Sequence, residues 1–321
     1  MRAWIKQQRI CVTGGGGVLG QRLVRELLKC GTKEVVVLDQ QRRRSGKALS
    51  LSVQYVVGSI LKKYDLESAI RGCKTVFHLA ALTHAGRSDN APARYWETNC
   101  SGTVKVLEAC RKLGVQRIVY TSTGHVYGIP IQLPVNEDHT TRPISNYAAS
   151  KLAGEAAIQA YVASYGLSGI IARLSNLYGI GFGANTVVGL VLEQAVKGGP
   201  LMARNMEAVR DFTYLDDAVE ALLRLAAMEM LPTECRTINV SNGHGVSVEN
   251  IVRTIQEVVK RQLKVLHRVN IIPNHTPEKI PSFILDNRLL HKLTGWVPSI
   301  SLESGLTRAL RESRAKKSLC V

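Results

Sequence analysis

The sequence predicts an α/β protein, a doubly wound parallel sheet with a smaller C-terminal lobe. Three observations point there. Short runs of β-branched residues alternate with helical stretches through the first half, as strands joined by crossover helices require. The first run passes straight into a glycine cluster and then a helix. The hydrophobic fraction, 45% of 321 residues, suffices for one large α/β unit or two intimately packed domains.

In chain order, the N-terminus leads directly into a first strand, Arg9-Ile-Cys-Val-Thr13. Gly14-Gly-Gly-Gly-Val-Leu-Gly20 follows, then a helical pattern over 21–30. Gly14, Gly17 and Gly20 are spaced G-x-x-G-x-x-G. Glycines there let the backbone turn tightly and approach a pyrophosphate, while the helix N-terminus offers N–H groups to the anion. Strand before and helix after is the context that makes such a motif a Rossmann-type dinucleotide site. The second strand, Glu34 to Asp39, ends in a carboxylate placed to bind an adenosine ribose and repel a 2′-phosphate, which predicts NAD. Arg42, Arg43 and Arg44 follow at once and would suit that phosphate, so NADP stays the alternative.

Val53 to Val57 reads as a third strand, Tyr64 to Arg71 as a short helix, and Thr75 to Leu79 as a fourth strand entering Ala80-Ala81. Pro92 to Leu113 is predicted to be one long helix. Asn99 sits in its middle, a poor place for asparagine unless the amide has work there. The fifth strand, Arg117 to Thr121, ends in Thr121-Ser-Thr-Gly-His-Val-Tyr-Gly128, with hydroxyls at the strand edge where open parallel sheets bind ligands. After a turn-rich loop comes a helix bearing Tyr147 and Lys151. Four apart, these two share one helical face. A nearby ammonium favours the phenolate and should pull a tyrosine from its usual pKa of ~10 toward neutrality, making a general base.

The formal net charge is +17, with basic runs at 42–44, 62–63 and 308–317. Such a surface suits anionic ligands. With only 5% aromatic residues and none interleaved with the basic runs, it argues against nucleic acid as partner. No apolar run reaches the ~18 residues of a membrane span. The seven cysteines are scattered and form no C-x-x-C, which predicts reduced thiols in a cytoplasmic protein and no metal site. Residues beyond about Arg311 read as a frayed basic tail.

Gly14-x-x-Gly17-x-x-Gly20, Asn99, the run from Thr121 to Gly128 and Tyr147-x-x-x-Lys151 occur in an order that resembles the extended short-chain dehydrogenase/reductases. Within them the chain is similar to the NAD-dependent nucleotide-sugar epimerase/dehydratase family. Arg173-Leu-Ser-Asn-Leu-Tyr-Gly179, Arg210-Asp-Phe-Thr-Tyr-Leu-Asp-Asp217, Asn239 to Ser247 and Leu293-Thr-Gly-Trp-Val-Pro298 resemble further motifs of that family. The resemblance implies an NAD-binding domain over 1–174 and a mainly substrate-binding lobe over 175–321, with a segment near 206–240 returning to the first. It implies cofactor contacts at Gly14, Gly17, Val18, Leu19, Asp39, Ser59, Ile60, Leu79, Ala80, Ala81, Tyr147 and Lys151. Tyr147 would be the acid/base, Lys151 would hold the nicotinamide ribose, Thr123 would bind the reacting hydroxyl, and Asn99 would fix the active-site helix and a water. A nucleotide-diphosphate sugar would lie against His84, Thr123, Gly124, His125, Tyr147, Asn176 and Arg210. The expected reaction is epimerisation, most simply at C4 of a UDP-hexose or hexuronic acid.

Where 4,6-dehydratases carry Asp-Glu, this chain has Gly124 and His125, which argues against dehydration. Gly58-Ser59 replaces the usual Gly-Asp near the adenine. Pro273 to Ile280 lacks the family's diphosphate arginine, leaving His275 or Lys279 as substitutes. The family's homodimers pair helices equivalent to 92–113 and 145–165, near which Cys100 and Cys110 would fall. Two other functions remain open: a dehydrogenase or reductase of a non-sugar alcohol, and a non-catalytic NAD-binding sensor or scaffold.

Overall fold

The computed structural model describes residues 2–6, 8–41, 52–264, 268–271 and 281–318. Arg42 to Arg44, His275 and Lys279 lie outside them. The strands are β1 (Arg9–Thr13), β2 (Glu34–Asp39), β3 (Val53–Val57), β4 (Thr75–His78), β5 (Arg117–Thr123), β6 (Ser168–Leu174), β7 (Asn176–Tyr178), β8 (Leu201–Ala203), β9 (Val209–Tyr214), β10 (Cys235–Val240), β11 (Gly245–Ser247) and β12 (Val269–Ile271). The helices are α1 (Arg2–Ile5), α2 (Val18–Lys29), α3 (Lys63–Ile70), α4 (Ala85–Ser88), α5 (Pro92–Tyr95), α6 (Gly102–Lys112), α7 (Asn146–Tyr165), α8 (Val187–Lys197), α9 (Leu215–Ala226), α10 (Val248–Leu263), α11 (Arg288–Thr294) and α12 (Leu302–Ser318).

Seven parallel strands form the main sheet in the order β10-β6-β5-β4-β1-β2-β3. The central strands are near-continuous apolar runs because both faces are covered. On one face Leu23, Val24 and Leu27 of α2 and Ala218, Val219 and Leu222 of α9 pack together, with Trp296 beside them. On the other, Leu66 of α3, Val106 and Leu107 of α6 and Ile158 and Val162 of α7 pack together. Strand order reverses between β1 and β4, and the carboxyl ends there open a crevice.

β10 comes from residues well beyond the expected boundary and pairs with β6 from Cys235↔Gly169 to Val240↔Leu174. A separate cluster joins α8, α10 and α12 through Val191, Ile255 and Leu306. Two small sheets, β11-β9-β7 and β12-β8, lie among these later elements.

Three local expectations are corrected. Residues Arg2–Ile5 form a helical turn ahead of β1, because Ile5 is buried in the main core. The helix expected over 92–113 is interrupted by a π-helical stretch from Trp96 to Ser101, between α5 and α6. Beyond Arg311 the chain stays helical to Ser318, because Leu306, Ala309 and Leu310 anchor α12 on the lobe.

Candidate active site

The glycine run closes β1 into α2 by unusually close backbone approach. Gly14 adopts φ +72°, and a Cβ there would meet the Ala80 nitrogen at 2.7 Å. A Cβ at Gly20 would fall on the Gly14 carbonyl oxygen. Gly17 differs: its Cβ would meet only that carbonyl, at 3.3 Å. Gly17 caps α2 with no side-chain hydrogen bond, so the first-turn N–H groups face the crevice unshielded. At the end of β2, Asp39 accepts from the Gly16 and Gln41 N–H groups, each at 3.0 Å. Glycines, helix terminus and carboxylate together fit a dinucleotide.

These residues line a cleft of about 1240 Å³. Gly14, Gly17, Val18, Leu19, Asp39, Ile60, Leu79, Ala80, Ala81, His84, Thr123, His125, Tyr147, Lys151, Asn176 and Arg210 all border it. Ser59, Gly124 and Asn99 do not. Ser59 is half-buried, its N–H donating to Asp65 at 2.8 Å and its hydroxyl accepting from Gln40 at 3.3 Å.

Ser145 caps α7 by accepting from the Ala148 N–H, and the helix delivers Tyr147 and Lys151 to the end of β5. There Tyr147 and Thr123 both line the cleft, with the Thr123 hydroxyl near enough to act on the phenol. Both α7 side chains are buried. The tyrosine does not behave as its spacing suggested. Burial pushes its phenol up to about 12, and the neighbouring Thr123 hydroxyl only partly opposes that. Burial also lowers Lys151 to about 7, against the pull of Glu155. The protein alone therefore keeps the phenol protonated, since desolvation disfavours both charged forms. The Lys151 ammonium sits 4.0 Å from the centre of the Tyr120 ring.

Sequence reasoning missed Glu155, one of the supports beneath this pair. Glu155, one turn past Lys151, is buried and held by Arg173 at 2.7 Å and by the Ser122 hydroxyl. Asn99, fully buried in the π-turn, clamps both backbone groups of Leu82, accepting its N–H at 2.8 Å and donating to its carbonyl at 3.0 Å. It also donates to Ser150 Oγ at 3.0 Å, and Ser150 donates to the Tyr147 carbonyl at 2.8 Å. The π-turn is what swings an interior asparagine onto α7. Its awkward placing in a helical pattern was the signal in the sequence.

The facing wall comes from distant segments. Arg210 donates from one nitrogen to the Val209 and Pro281 carbonyls, both at 2.7 Å. Asn176 donates to the Asp211 carbonyl at 3.3 Å. Asp211 itself turns away, accepting the N–H groups of Asn242 and Gly243. Phe283, unsuspected from sequence, pairs with β9 and stacks on His125, with ring centres 6.3 Å apart. A Cβ at Gly124 would meet Phe283 at 2.9 Å, so that glycine backs onto the ring. Burial and Arg210 lower the His125 pKa. Phe182, Arg204, Arg87 and Arg94 also border the cleft.

Set beside known proteins, the chain matches the model of the NAD dependent epimerase/dehydratase family over residues 10–241. It is 33% identical over 265 residues to a UDP-glucose 4-epimerase of Streptomyces lividans, covering 77% of this chain and 80% of that one. The crystal structure of a UDP-glucose 4-epimerase from Thermotoga maritima with UDP-glucose superposes with a TM-score of 0.85 at 29% identity, covering 96% of this chain and 99% of that one. A Thermus thermophilus UDP-glucose 4-epimerase complexed with NAD gives 0.83 at 28% identity, over 95% and 99%.

Proposed function

The chain belongs to the NAD-dependent epimerase/dehydratase family, and on that premise we propose that it inverts C4 of a UDP-hexose, with NAD retained through the cycle. The observation that carries the reading is one cleft holding the Thr123–Tyr147–Lys151 group opposite the glycine cradle. NAD, when bound, supplies a hydride acceptor that returns what it takes, together with a positive charge. Tyr147 then removes the proton of the sugar 4-hydroxyl and restores it after the keto-sugar has presented its other face. Thr123 holds the hydroxyl, and Lys151 adds the positive charge that a phenolate requires against the cost of burial. Gly14, Gly17, Val18, Leu19 and Asp39 bind the cofactor; Asn176, Arg210 and His125 bind the nucleotide sugar. Asn99 positions α7.

Dehydration is disfavoured because Phe283 fills the space a carboxylate at position 124 would need. A hexuronic acid is the second reading, since Arg87, Arg94 and Arg204 add cations beyond Arg210 to the cleft. The enzyme works as a cytoplasmic homodimer in this reading. Trp96, Val104 and Tyr165 lie exposed along the π-turn, α6 and α7, and all six described cysteines are free. No described helix is long and apolar enough to cross a membrane.

The test is direct. Purified protein should interconvert UDP-glucose and UDP-galactose with no net NADH, and light scattering should give twice the chain mass. Stoichiometric release of NADH with a one-way product would replace the epimerase by a dehydrogenase. Interconversion of UDP-glucuronate alone would select the second reading.

A further inference from the structure

His78 closes β4 at the centre of the sheet, fully buried, and takes no part in the chemistry above. Both ring nitrogens are engaged: Nδ1 lies 2.7 Å from Thr13 Oγ1 and Nε2 lies 3.0 Å from Thr103 Oγ1. Each threonine continues outward. The Ala80 N–H approaches Thr13 Oγ1 at 3.4 Å, and the Thr103 hydroxyl donates to the Asn99 carbonyl at 2.6 Å. A carbonyl can only accept, so the Asn99 end sets the direction of the whole chain.

At the far end, Thr103 spends its only proton on Asn99. Its oxygen must therefore accept from His78, which puts a proton on Nε2. In a neutral ring Nδ1 is then an acceptor, and Thr13 donates to it. The opposite tautomer would turn the Thr103 proton toward His78 and leave two oxygens 2.6 Å apart with no hydrogen between them. Tyr120 on β5, its ring 5.5 Å away, and Lys151 on α7 are the titratable groups facing the imidazole. Burial first, and Lys151 second, hold it neutral by lowering its pKa to about 3.

The chain begins at the backbone that abuts Gly14 and ends at the residue that grips Leu82 and Ser150. We propose that His78 is a positioning residue: locked as the neutral Nε2–H tautomer, it couples the loop cradling the cofactor to the π-turn that places the catalytic helix. The inference rests on the NAD site and on the role of Asn99 proposed above, whichever sugar is the substrate.

The test has an arm independent of turnover. In ¹⁵N-histidine NMR of the whole protein, with His78→Gln identifying the signal, His78 should keep a protonated Nε2 and a bare Nδ1 from pH 5 to 9. A protonated Nδ1, or a midpoint near the ordinary ~6.5, would overturn the proposal. The second arm uses Thr103→Val, a near-isosteric change outside the cleft. It should stay folded, weaken NAD several-fold, and lower kcat about tenfold to a hundredfold with KM for the nucleotide sugar nearly unchanged, as small misplacements do. His78→Gln, which keeps one donor and one acceptor, should retain more activity than His78→Leu. A folded Thr103→Val with wild-type NAD affinity and kcat would refute the coupling. Wild type inactive on every nucleotide sugar would instead count against the epimerase reading, leaving the NMR and NAD measurements to decide this one.

Discussion

The two walls of the cleft are built by different rules. The sheet wall is assembled from strand ends: Thr13 into Gly14, Asp39, His78 into Ala80, and Thr123 each finish a parallel strand, with α7 laid across them. Its polar groups are held from below by a buried network of Ser122, Glu155, Arg173, Ser150 and Asn99. The opposite wall, Asn176 and Arg210 with Phe283 behind it, hangs on backbone bridges between segments far apart in sequence. One wall is preorganised for chemistry. The other is secured by fewer and more exposed contacts, which suits a surface that must accept a sugar in two orientations.

The largest expected effect tests whether chemistry belongs to the sheet wall alone. Tyr147→Phe should lower kcat by roughly 10²–10⁴-fold while NAD binding, followed by fluorescence titration, is retained. An active variant would end the division of labour. Next, the support network should be costly to break from one side. Glu155→Leu leaves Arg173 buried without its partner, and urea denaturation should show a loss of about 3–5 kcal/mol.

Lys151→Met sharpens the comparison in the opposite sense, because it should abolish turnover and stabilise the protein. Burial depresses the folded pKa of Lys151 to about 7, from the usual 10.5. Lysine is therefore worst for folding at and below pH 7, and that penalty fades as pH rises toward 10.5. The gain of the methionine variant should follow the same course, at about 1.36 kcal/mol per unit of displaced pKa at most. A gain independent of pH would remove the buried charge as its cause. The smallest effect belongs to the other wall. Phe283→Ala should leave the unfolding midpoint within a few degrees and cost about 1–2 kcal/mol in kcat/KM, mostly as KM and as loosened choice between hexose and hexuronate. A loss as deep as that of Tyr147→Phe would show that the two walls act as one.

The same contrast governs what could be read from sequence. The sheet wall was legible because each piece is local: glycines at fixed spacing, an acid closing β2, hydroxyls closing β5, tyrosine and lysine one turn apart. Phe283 was not. It is a single aromatic in an extended stretch without periodicity, and its importance arises only where Gly124 makes room for it. The electrostatics of Tyr147 and Lys151 were misjudged for a related reason. Spacing reports the partner, while burial, set by the whole fold, decides the sign. Asn99 lies between these cases, suspicious in sequence and explained only by the π-turn. The helical end of the chain was missed because the basic residues of α12 masked the apolar stripe of Leu302, Leu306 and Leu310.

The late return of β10 to the main sheet has a consequence for synthesis. As the chain leaves the ribosome, β6 is complete long before residue 240, so its open side waits with unpaired backbone groups from Gly169 to Leu174. Such an edge invites pairing with a neighbouring nascent chain. Lobe and sheet are therefore not separable modules. A fragment ending near residue 174 would carry a raw edge into solution, and a stalled chain of that length is the form a chaperone would need to shield.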